Sequence, residues 1–322
     1  MPRRPRSDNS NARGDVIHVP DDEDGKTLAA VLKRALKLSW GEAEVRIMNR
    51  HVAVHGNLCL DPARRLKRGD VINLLDQAAE KPPEPEDLSV LFSDRHLVVV
   101  DKPAGLVSAR EPRESGMSAK RRERQPTLNE LLDKRFRRPH DRGNAIFAVH
   151  RLDRDTSGLM LFARTPDAEA SLVSMFQAHD LQRAYLAVTL NGPPPSRVVD
   201  TLITRDRGDG KRGSLRSGQT AADAKRALTR VEPAGHLSRN RGLADCALET
   251  GRTHQIRIHL SEIGHPVCGD KIYGDRNETD PPPRQALHAR RLAFDHPINR
   301  RPMEFESGWP RDIERWLSGR NR

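Results

Sequence analysis

Between Asn144 and Gly158 the chain reads NAIFAVHRLDRDTSG, and no other stretch restricts the fold as much. The apolar run Ile146-Phe147-Ala148-Val149 has the character of a strand interior. His150, Arg151, Asp153, Arg154 and Asp155 follow within six residues, ahead of a second apolar run, Leu159-Met160-Leu161-Phe162. Two acids and two arginines thus share a short crossing between two apolar runs, and what they do there is the question the segment raises. Alternation in the crossing sets Arg151 and Asp153 on one face and Leu152 on the other. Asp155-Thr156-Ser157-Gly158 is turn chemistry, in which side-chain oxygens bond nearby backbone N–H groups and glycine permits the return. It is not a calcium loop, since the downstream bidentate glutamate is missing at the required spacing. Asp153 differs from its neighbours: it stands before the turn, at a strand end, where a short carboxylate can be held rigidly.

A partner for Asp153 is available in GRTHQIRIHL, residues 251–260. Read as a strand, this segment puts Thr253, Gln255, Arg257 and His259 on one face, with His254, Ile256, Ile258 and Leu260 on the other. A polar face backed by an apolar one suits a strand that lines a site. Arg257 is the natural counter-ion, because a nearby guanidinium keeps a partly buried carboxylate ionised where desolvation alone would neutralise it. A purely structural ion pair between strands is the competing reading. Buried pairs stabilise little on balance, so the pattern leans modestly toward function. Tyr185, one of two tyrosines, lies on the strand RAYLAVTL and shares its face with Ala187 and Thr189. Small neighbours leave room over its ring for a stacked base, and core packing accounts for it equally well. Tyr273, in GDKIYGD beside turn glycines, is expected to be structural.

The net charge of +11 over 322 residues points to a polyanionic partner. Nucleic acid fits better than an anionic membrane, because no basic amphipathic helix is evident. No apolar run approaches the roughly 18 residues needed to span a bilayer, and the charged N-terminus MPRRPRSDNSNARGD lacks the apolar stretch of a secretory signal. Cys59, Cys246 and Cys268 are isolated, without CxxC spacing. Neither a zinc site nor a disulfide framework is expected, which suits a reducing cytoplasm.

Residues 1–14 read as a disordered basic tail, and a compact segment is expected over residues 15–77. Within it, TLAAVLKRALKL is helical with Thr27 as N-cap, and Ser39 precedes a second helix, WGEAEVRIMNR. HVAVHGN is a strand and turn, and RLKRGDVINLL closes the segment with another strand. AAEKPPEPEDL, residues 78–88, reads as a stiff, extended, proline-rich linker. The remainder, residues 89–318, is strand-rich with interspersed helices. LVVVDKPAGLV predicts a buried strand and a Pro-Ala-Gly turn, and PDAEASLVSMFQAHDL an amphipathic helix with Ala168, Leu172 and Met175 or Phe176 on one side. SAREPRESGMSAKRRERQ and RDRGDGKRGSLRSGQT have the composition of inserted or mobile segments.

HRLDRDTSG resembles the signature of the RluA family of pseudouridine synthases around its essential aspartate. DKPAGLV, RAYLAV, LETGRTHQIRIHL, GHPVCGDKIYG and LHARRLAFDHP follow in that family's order and spacing, so the likeness covers about residues 89–300. The N-terminal helix–helix–hairpin unit is similar to the small RNA-binding module named after ribosomal protein S-four, although WGEAEVRIMNR replaces the usual Ser-Arg start of its second helix. The resemblance implies an α+β chain: a catalytic domain built on a mixed, mainly antiparallel sheet with a central cleft, plus a small α+β RNA-binding domain. It implies Asp153 as the catalytic aspartate, Arg257 as the basic residue paired with it, and Tyr185 as the tyrosine that stacks on the target base. Arg151 corresponds to the arginine that helps hold an RNA helix open around the extruded nucleotide. Arg46, Arg50, His254 and Gln255 are expected to touch RNA. The basic segment around Lys120 to Arg124 has no clear family counterpart.

Such an enzyme breaks the bond from ribose to a uracil nitrogen and remakes it to uracil carbon 5. Nothing is oxidised and no group departs, so no cofactor is expected, and neither a P-loop nor a Gly-x-Gly-x-x-Gly motif is present. The carboxylate can assist as a nucleophile or electrostatic partner at the sugar, or as a base toward a sugar proton, and the residues leave both routes open. The expected partner is large-subunit ribosomal RNA, suggested by the N-terminal module, and the enzyme is expected to be a cytoplasmic monomer that binds no membrane and no metal. The alternatives are a tRNA substrate, or a non-catalytic RNA-binding or ribosome-assembly factor on the same fold. An intact Asp153, Tyr185 and Arg257 set argues against the latter. A two-carboxylate glycosidase would need a second acid across the cleft, and none stands out.

Overall fold

The computed structural model describes residues 16–55, 57–76, 78–79, 81–110, 119–137, 146–216, 218–238 and 240–319. The expected tail at residues 1–14 lies outside them, as does the 111–118 part of the basic segment. The chain divides into two compact units, one formed by Met1–Pro82 with Gly116–Gln125, the other by Pro83–Ser115 with Pro126–Arg322.

The first unit runs β1 (Val16–His18), α1 (Leu28–Leu36), α2 (Trp40–Met48), β2 (Val52–Val54), β3 (Asn57–Leu58) and β4 (Val71–Leu74). Its antiparallel sheet has the order β1-β4-β2-β3. Both helices start where their capping residues predict. The Thr27 hydroxyl accepts from the Ala30 N–H, and Ser39 and Glu42 form a reciprocal capping box. Leu28, Val31 and Leu32 of α1 and Ala43 and Ile47 of α2 pack on Val52, Val54, Ile72 and Leu74 to make a closed core. The basic segment contributes α3 (Ala119–Arg124) to this unit, and Gln125 beyond it donates to the Leu58 carbonyl.

The second unit contains β5 (Ser89–Ser93), β6 (Leu97–Lys102), α4 (Leu128–Phe136), β7 (Phe147–Ala148), β8 (Ser157–Ala163), α5 (Pro166–Ala178), β9 (Gln182–Leu190), β10 (Arg197–Thr204), β11 (Gly213–Ser214), β12 (Lys225–Ser238), β13 (Arg241–Leu248), α6 (Gln255–Glu262), β14 (Leu287–Asp295), β15 (Pro302–Glu306) and α7 (Arg311–Ser318). Its 11-stranded sheet has the order β11-β10-β12-β13-β9-β14-β8-β6-β5, with β15 on β14 and β7 on β8. The β8–β14 pair is parallel and the others are antiparallel, so the sheet is mixed and mainly antiparallel. The continuous apolar runs of β6 and β8 follow from coverage of both faces. Val98, Val100, Met160 and Phe162 join Ile146, Leu152 and Tyr185 under α4 and α6. Leu97, Val99, Leu159 and Leu161 face the other way, against Ala168, Leu172 and Met175 of α5.

Three sequence expectations are corrected here. The second half of the proline-rich stretch is not extended: Pro85–Asp87 forms a turn of 3-10 helix, Leu88 is buried, and Arg135 donates to the carbonyls of Pro85, Glu86 and Leu88. Of the run Ile146–Val149 only Phe147–Ala148 pairs, with Ala148 exposed, and residues 149–156 are irregular. Arg151 and Asp153 therefore do not alternate on a strand.

The largest difference is GRTHQIRIHL, which turns after β13 and becomes α6. Alternation misleads at this position because the helix is buried from Gln255 to Leu260, so polar groups are needed on more than one side. Gln255 and His259, one turn apart, both bond the Thr229 hydroxyl, while Arg257 points away from them toward Asp153 and Asp270.

Candidate active site

The backbone on either side of Asp153 is held by the segment that follows β6. The Ser108 hydroxyl donates to the Leu152 carbonyl at 2.8 Å and accepts from the Leu152 N–H at 3.0 Å. The Gly105 N–H donates to the Arg154 carbonyl at 2.9 Å, and Arg154 Nε returns a bond to the Gly105 carbonyl at 3.0 Å. Lys102, wholly buried at the end of β6, donates to the carbonyls of Pro103, Leu106 and Arg154 at 2.8–2.9 Å. Burial pushes its ammonium down to about 7, and the nearby Asp155 carboxylate works in the opposite sense. Asp153 thus sits between two anchored residues.

The turn after Asp153 closes through the Thr156 N–H, which donates to the Asp153 carbonyl. Its side chains do not bond neighbouring N–H groups as expected. Thr156 accepts from Gln285, Ser157 pairs with His288 and accepts from Arg284, and Arg284 also holds the Asp155 carbonyl. The turn residues are structural, but they act by docking the crossing onto β14 and the segment before it.

Asp153 Oδ2 accepts from Arg257 Nη1 at 2.9 Å, and His254 Nε2 lies 3.9 Å from the same oxygen. Oδ1 accepts from none of the described residues, and 18% of the side chain is exposed. Arg257 has a second partner that the sequence did not announce. Its Nε and Nη2 donate to Asp270 at 2.6 and 2.8 Å, and Asp270 also accepts from the N–H groups of Ile272 and Tyr273. Burial would raise the Asp270 carboxyl, but Arg257 and these N–H groups hold it below the usual carboxylate range.

His254 was expected beside Ile256 on an apolar face. It instead takes a left-handed φ of 62° and projects into the site, where Nδ1 lies 2.9 Å from the Tyr273 hydroxyl. Burial lowers its pKa, with Asp153 opposing. Tyr273 forms a wall of the site, its ring under the Arg257 guanidinium at 5.3 Å. Tyr185, at the centre of β9, packs into the core beside Leu152 and pairs across the sheet with Cys246 and Ala289. Burial raises its phenol, Arg183 opposes this, and the Asp153 charge adds to it.

The other expected residues divide. Arg151 is exposed on the crossing. Gln255, expected to touch RNA, is buried with its amide committed to Thr250, Arg252, Leu228 and Thr229, which leaves no group for a ligand. Arg46 and Arg50 lie on the first unit, and Arg50 Nε is bonded to the Ala79 carbonyl. Lys102, Ser108 and Asp270 were missed. A lone lysine ending the apolar run before Pro-Ala-Gly, and an acid between the glycines of GDKIYG, were the available signals. Among the described residues, no group of three or more His, Cys, Asp or Glu side chains is placed to hold a metal ion. No described helix is long and apolar enough to cross a membrane.

An anchored carboxylate with one uncommitted oxygen, fixed by a guanidinium next to a tyrosine, is equipped to act on a polar substrate. Comparison with known proteins bears on which substrate. A family model described as RNA pseudouridylate synthase matches residues 96–262, more than half of the chain. Ribosomal large subunit pseudouridine synthase D of Zymomonas mobilis is 34% identical over 271 residues, covering 80% of this chain and 82% of that protein. The uncharacterized RNA pseudouridine synthase YhcT of Bacillus subtilis is 32% identical over 311 residues, covering 95% and 97% respectively. Among solved structures, human RNA pseudouridylate synthase domain containing 1 superposes with a TM-score of 0.55 at 26% identity, covering 72% of this chain and 87% of that one. On this combination of sequence and fold, the chain belongs to the RNA pseudouridylate synthase family of isomerases.

Proposed function

We propose that this enzyme isomerises specific uridines in large-subunit ribosomal RNA, with Asp153 as the carboxylate that acts at the ribose. The observation that carries the reading is Asp153 itself: Oδ2 is fixed by Arg257 while Oδ1 is left for substrate. The relatives named large-subunit pseudouridine synthase D, which match most of the chain, favour ribosomal RNA over tRNA. In this reading Tyr185 stacks on the extruded base, Arg257 fixes the Asp153 carboxylate in place, and Arg151 fills the space that the base leaves. Taking a base out of its stack costs about a few kcal/mol, which contacts to the RNA backbone must offset. The first unit, with Arg46 and Arg50, is proposed to serve as a separate RNA-binding module. The enzyme is proposed to work as a monomer in the cytoplasm, which sedimentation of the purified chain and fractionation of cells would check.

The test combines mapping with substitution. Pseudouridines should disappear from large-subunit RNA in cells lacking the protein and return with the wild-type chain. Asp153→Asn should fail to restore them while keeping RNA affinity within about tenfold, because it removes a group that acts on the transition state. Unchanged large-subunit RNA in the deletion strain, or full restoration by Asp153→Asn, would refute the reading.

A further inference from the structure

The loop between β10 and β11, which the sequence marked as inserted or mobile, is built into the wall of the site. The Asp206 carboxylate accepts from the N–H groups of Gly208 and Gly210, at 2.8 and 2.9 Å, and the Arg207 N–H donates to the Lys211 carbonyl at 2.9 Å. Gly213 and Ser214 then pair with Thr204 and Ile203. Two contacts pin this loop beside the catalytic groups. Lys211 Nζ donates to the carbonyl of Ile272, the residue before Tyr273, at 3.2 Å. The Ser214 N–H donates to Glu262, the last residue of α6, at 2.9 Å.

Arg212 lies between these two anchors and is half-buried. Its charge acts on both His254 and Tyr273, the two side chains that flank the Asp153–Arg257 pair. Yet among the described residues nothing forms a hydrogen bond or ion pair with its guanidinium. The nearby acids are committed elsewhere: Asp206 to the two glycine N–H groups, Asp209 to Arg207, and Glu262 to Arg207 and Ser214. A half-buried guanidinium without a carboxylate, set at the edge of a site that takes a polyanion, has the chemistry of a phosphate contact. Its planar fork suits two phosphate oxygens.

We propose that Arg212 binds a backbone phosphate of the nucleotide being isomerised, or of its immediate neighbour, and so positions the ribose over Asp153. The proposal rests on the RNA-isomerase reading above and adds a substrate-binding residue to it. It also gives the glycine-rich loop a purpose: Gly208 and Gly210, both with positive φ, let the backbone wrap the Asp206 carboxylate and present Arg212 without a competing acid.

The test uses full-length chains and large-subunit RNA purified from cells lacking the protein. Arg212→Gln should raise KM and Kd roughly tenfold or more, the usual size of a lost charge-assisted bond. The slope of log affinity against log salt should become shallower by about 0.7 to 1, the signature of one fewer phosphate contact. Arg212→Lys should restore the slope but only part of the affinity, since a point charge lacks the fork. An Arg212→Gln variant with unchanged KM and unchanged salt slope would overturn the proposal. So would a variant with altered pH dependence and an unchanged slope, because that result means Arg212 tunes its protein neighbours without touching RNA. If the wild-type chain forms no pseudouridine in this RNA, the broader functional reading fails instead, which keeps the two outcomes apart.

Discussion

Arg257 gives two of its nitrogens to Asp270 and only the third, Nη1, to Asp153. The guanidinium is therefore aimed by the buried acid, with a planar fork seated on one carboxylate edge. This division explains how a single cation can serve both acids without immobilising both oxygens of Asp153. Asp153 keeps its charge partner, and Oδ1 stays available.

Asp270→Asn should separate aiming from charge. The asparagine amide would turn an N–H toward an Arg257 N–H, where a carboxylate had accepted, so one arm of the fork must swing away. We expect the single-turnover rate to fall by about 10²-fold, as for a catalytic group misplaced by roughly 1 Å, with RNA affinity within about threefold of wild type. Quenched single-turnover kinetics beside a binding isotherm measures both. A wild-type rate would mean that Arg257 does not need Asp270 to find Asp153.

Much of the fold was legible because local and global demands agree. Thr27 and Ser39 mark helix starts, and Ala168, Leu172 and Met175 mark the buried side of α5. Asp153, Arg257 and Tyr185 could be named from their motifs, and the structure places them near one another. The largest failure, at α6, has one cause, which is burial on all sides. Alternation reads a single apolar face, and α6 has none, so Gln255 and His259 on one side and Arg257 on another gave a false strand pattern. The roles of Lys102, Ser108 and Asp270 were not assigned for a related reason. Each acts on backbone or on another side chain distant in sequence, and spacing alone does not show who the partner is.

Lys102 offers a direct test of how the Asp153 crossing is held. Lys102→Met keeps the apolar stem but leaves the carbonyls of Pro103 and Leu106 without a donor and that of Arg154 with only the Gly105 N–H. At about 1–3 kcal/mol for each of the two unsatisfied groups, stability should drop by about 2 kcal/mol or more. Urea unfolding gives the number, and activity at low temperature, where the variant is still folded, should also be strongly reduced. A stable, active Lys102→Met chain would show that the Gly105 and Ser108 contacts suffice.

The acid limb of stability should belong to buried histidines. Burial pushes His259 down to about 4 and His150 down to about 3, and it lowers His254 as well. Both ring nitrogens of His150 are removed from solvent, one accepting from the Leu161 N–H. In the unfolded chain each imidazole takes a proton at about 6.5. Between that value and the folded one the unfolded state binds more protons, so stability must fall as pH drops from about 6.5. Carboxylates held low, such as Asp94 and Asp270, lose their contribution only near and below the ordinary carboxylate range of about 4. For His259 the loss is about 2 kcal/mol between pH 6.5 and 5. Denaturant unfolding across that window should show this slope, and His259→Gln should reduce it by about one proton. A flat profile down to pH 5 would contradict the assignment.

Gly158 closes the signature that opens at His150, and its requirement is one of space as well as conformation. Its φ is +114°, and a Cβ built there would lie 2.3 Å from the Ala289 carbonyl oxygen and 2.6 Å from the Ala289 nitrogen. Both are backbone atoms of the neighbouring parallel strand, so no rotamer can relieve the contact. To admit a methyl group, β8 and β14 must separate at the point where Ser157 pairs with His288 and Arg284. That separation would carry the Asp153 crossing with it. Gly105 provides the control, since it also has a positive φ of +81° but open space where a Cβ would go. Gly105→Ala bears only the conformational penalty of about 1–2 kcal/mol. Gly158→Ala adds overpacking against backbone, typically a further 1–3 kcal/mol, and should lose activity while still folded. Equal melting temperatures for the two variants would mean that the strands can part freely, and that the close approach of β8 to β14 does not hold Asp153 in place.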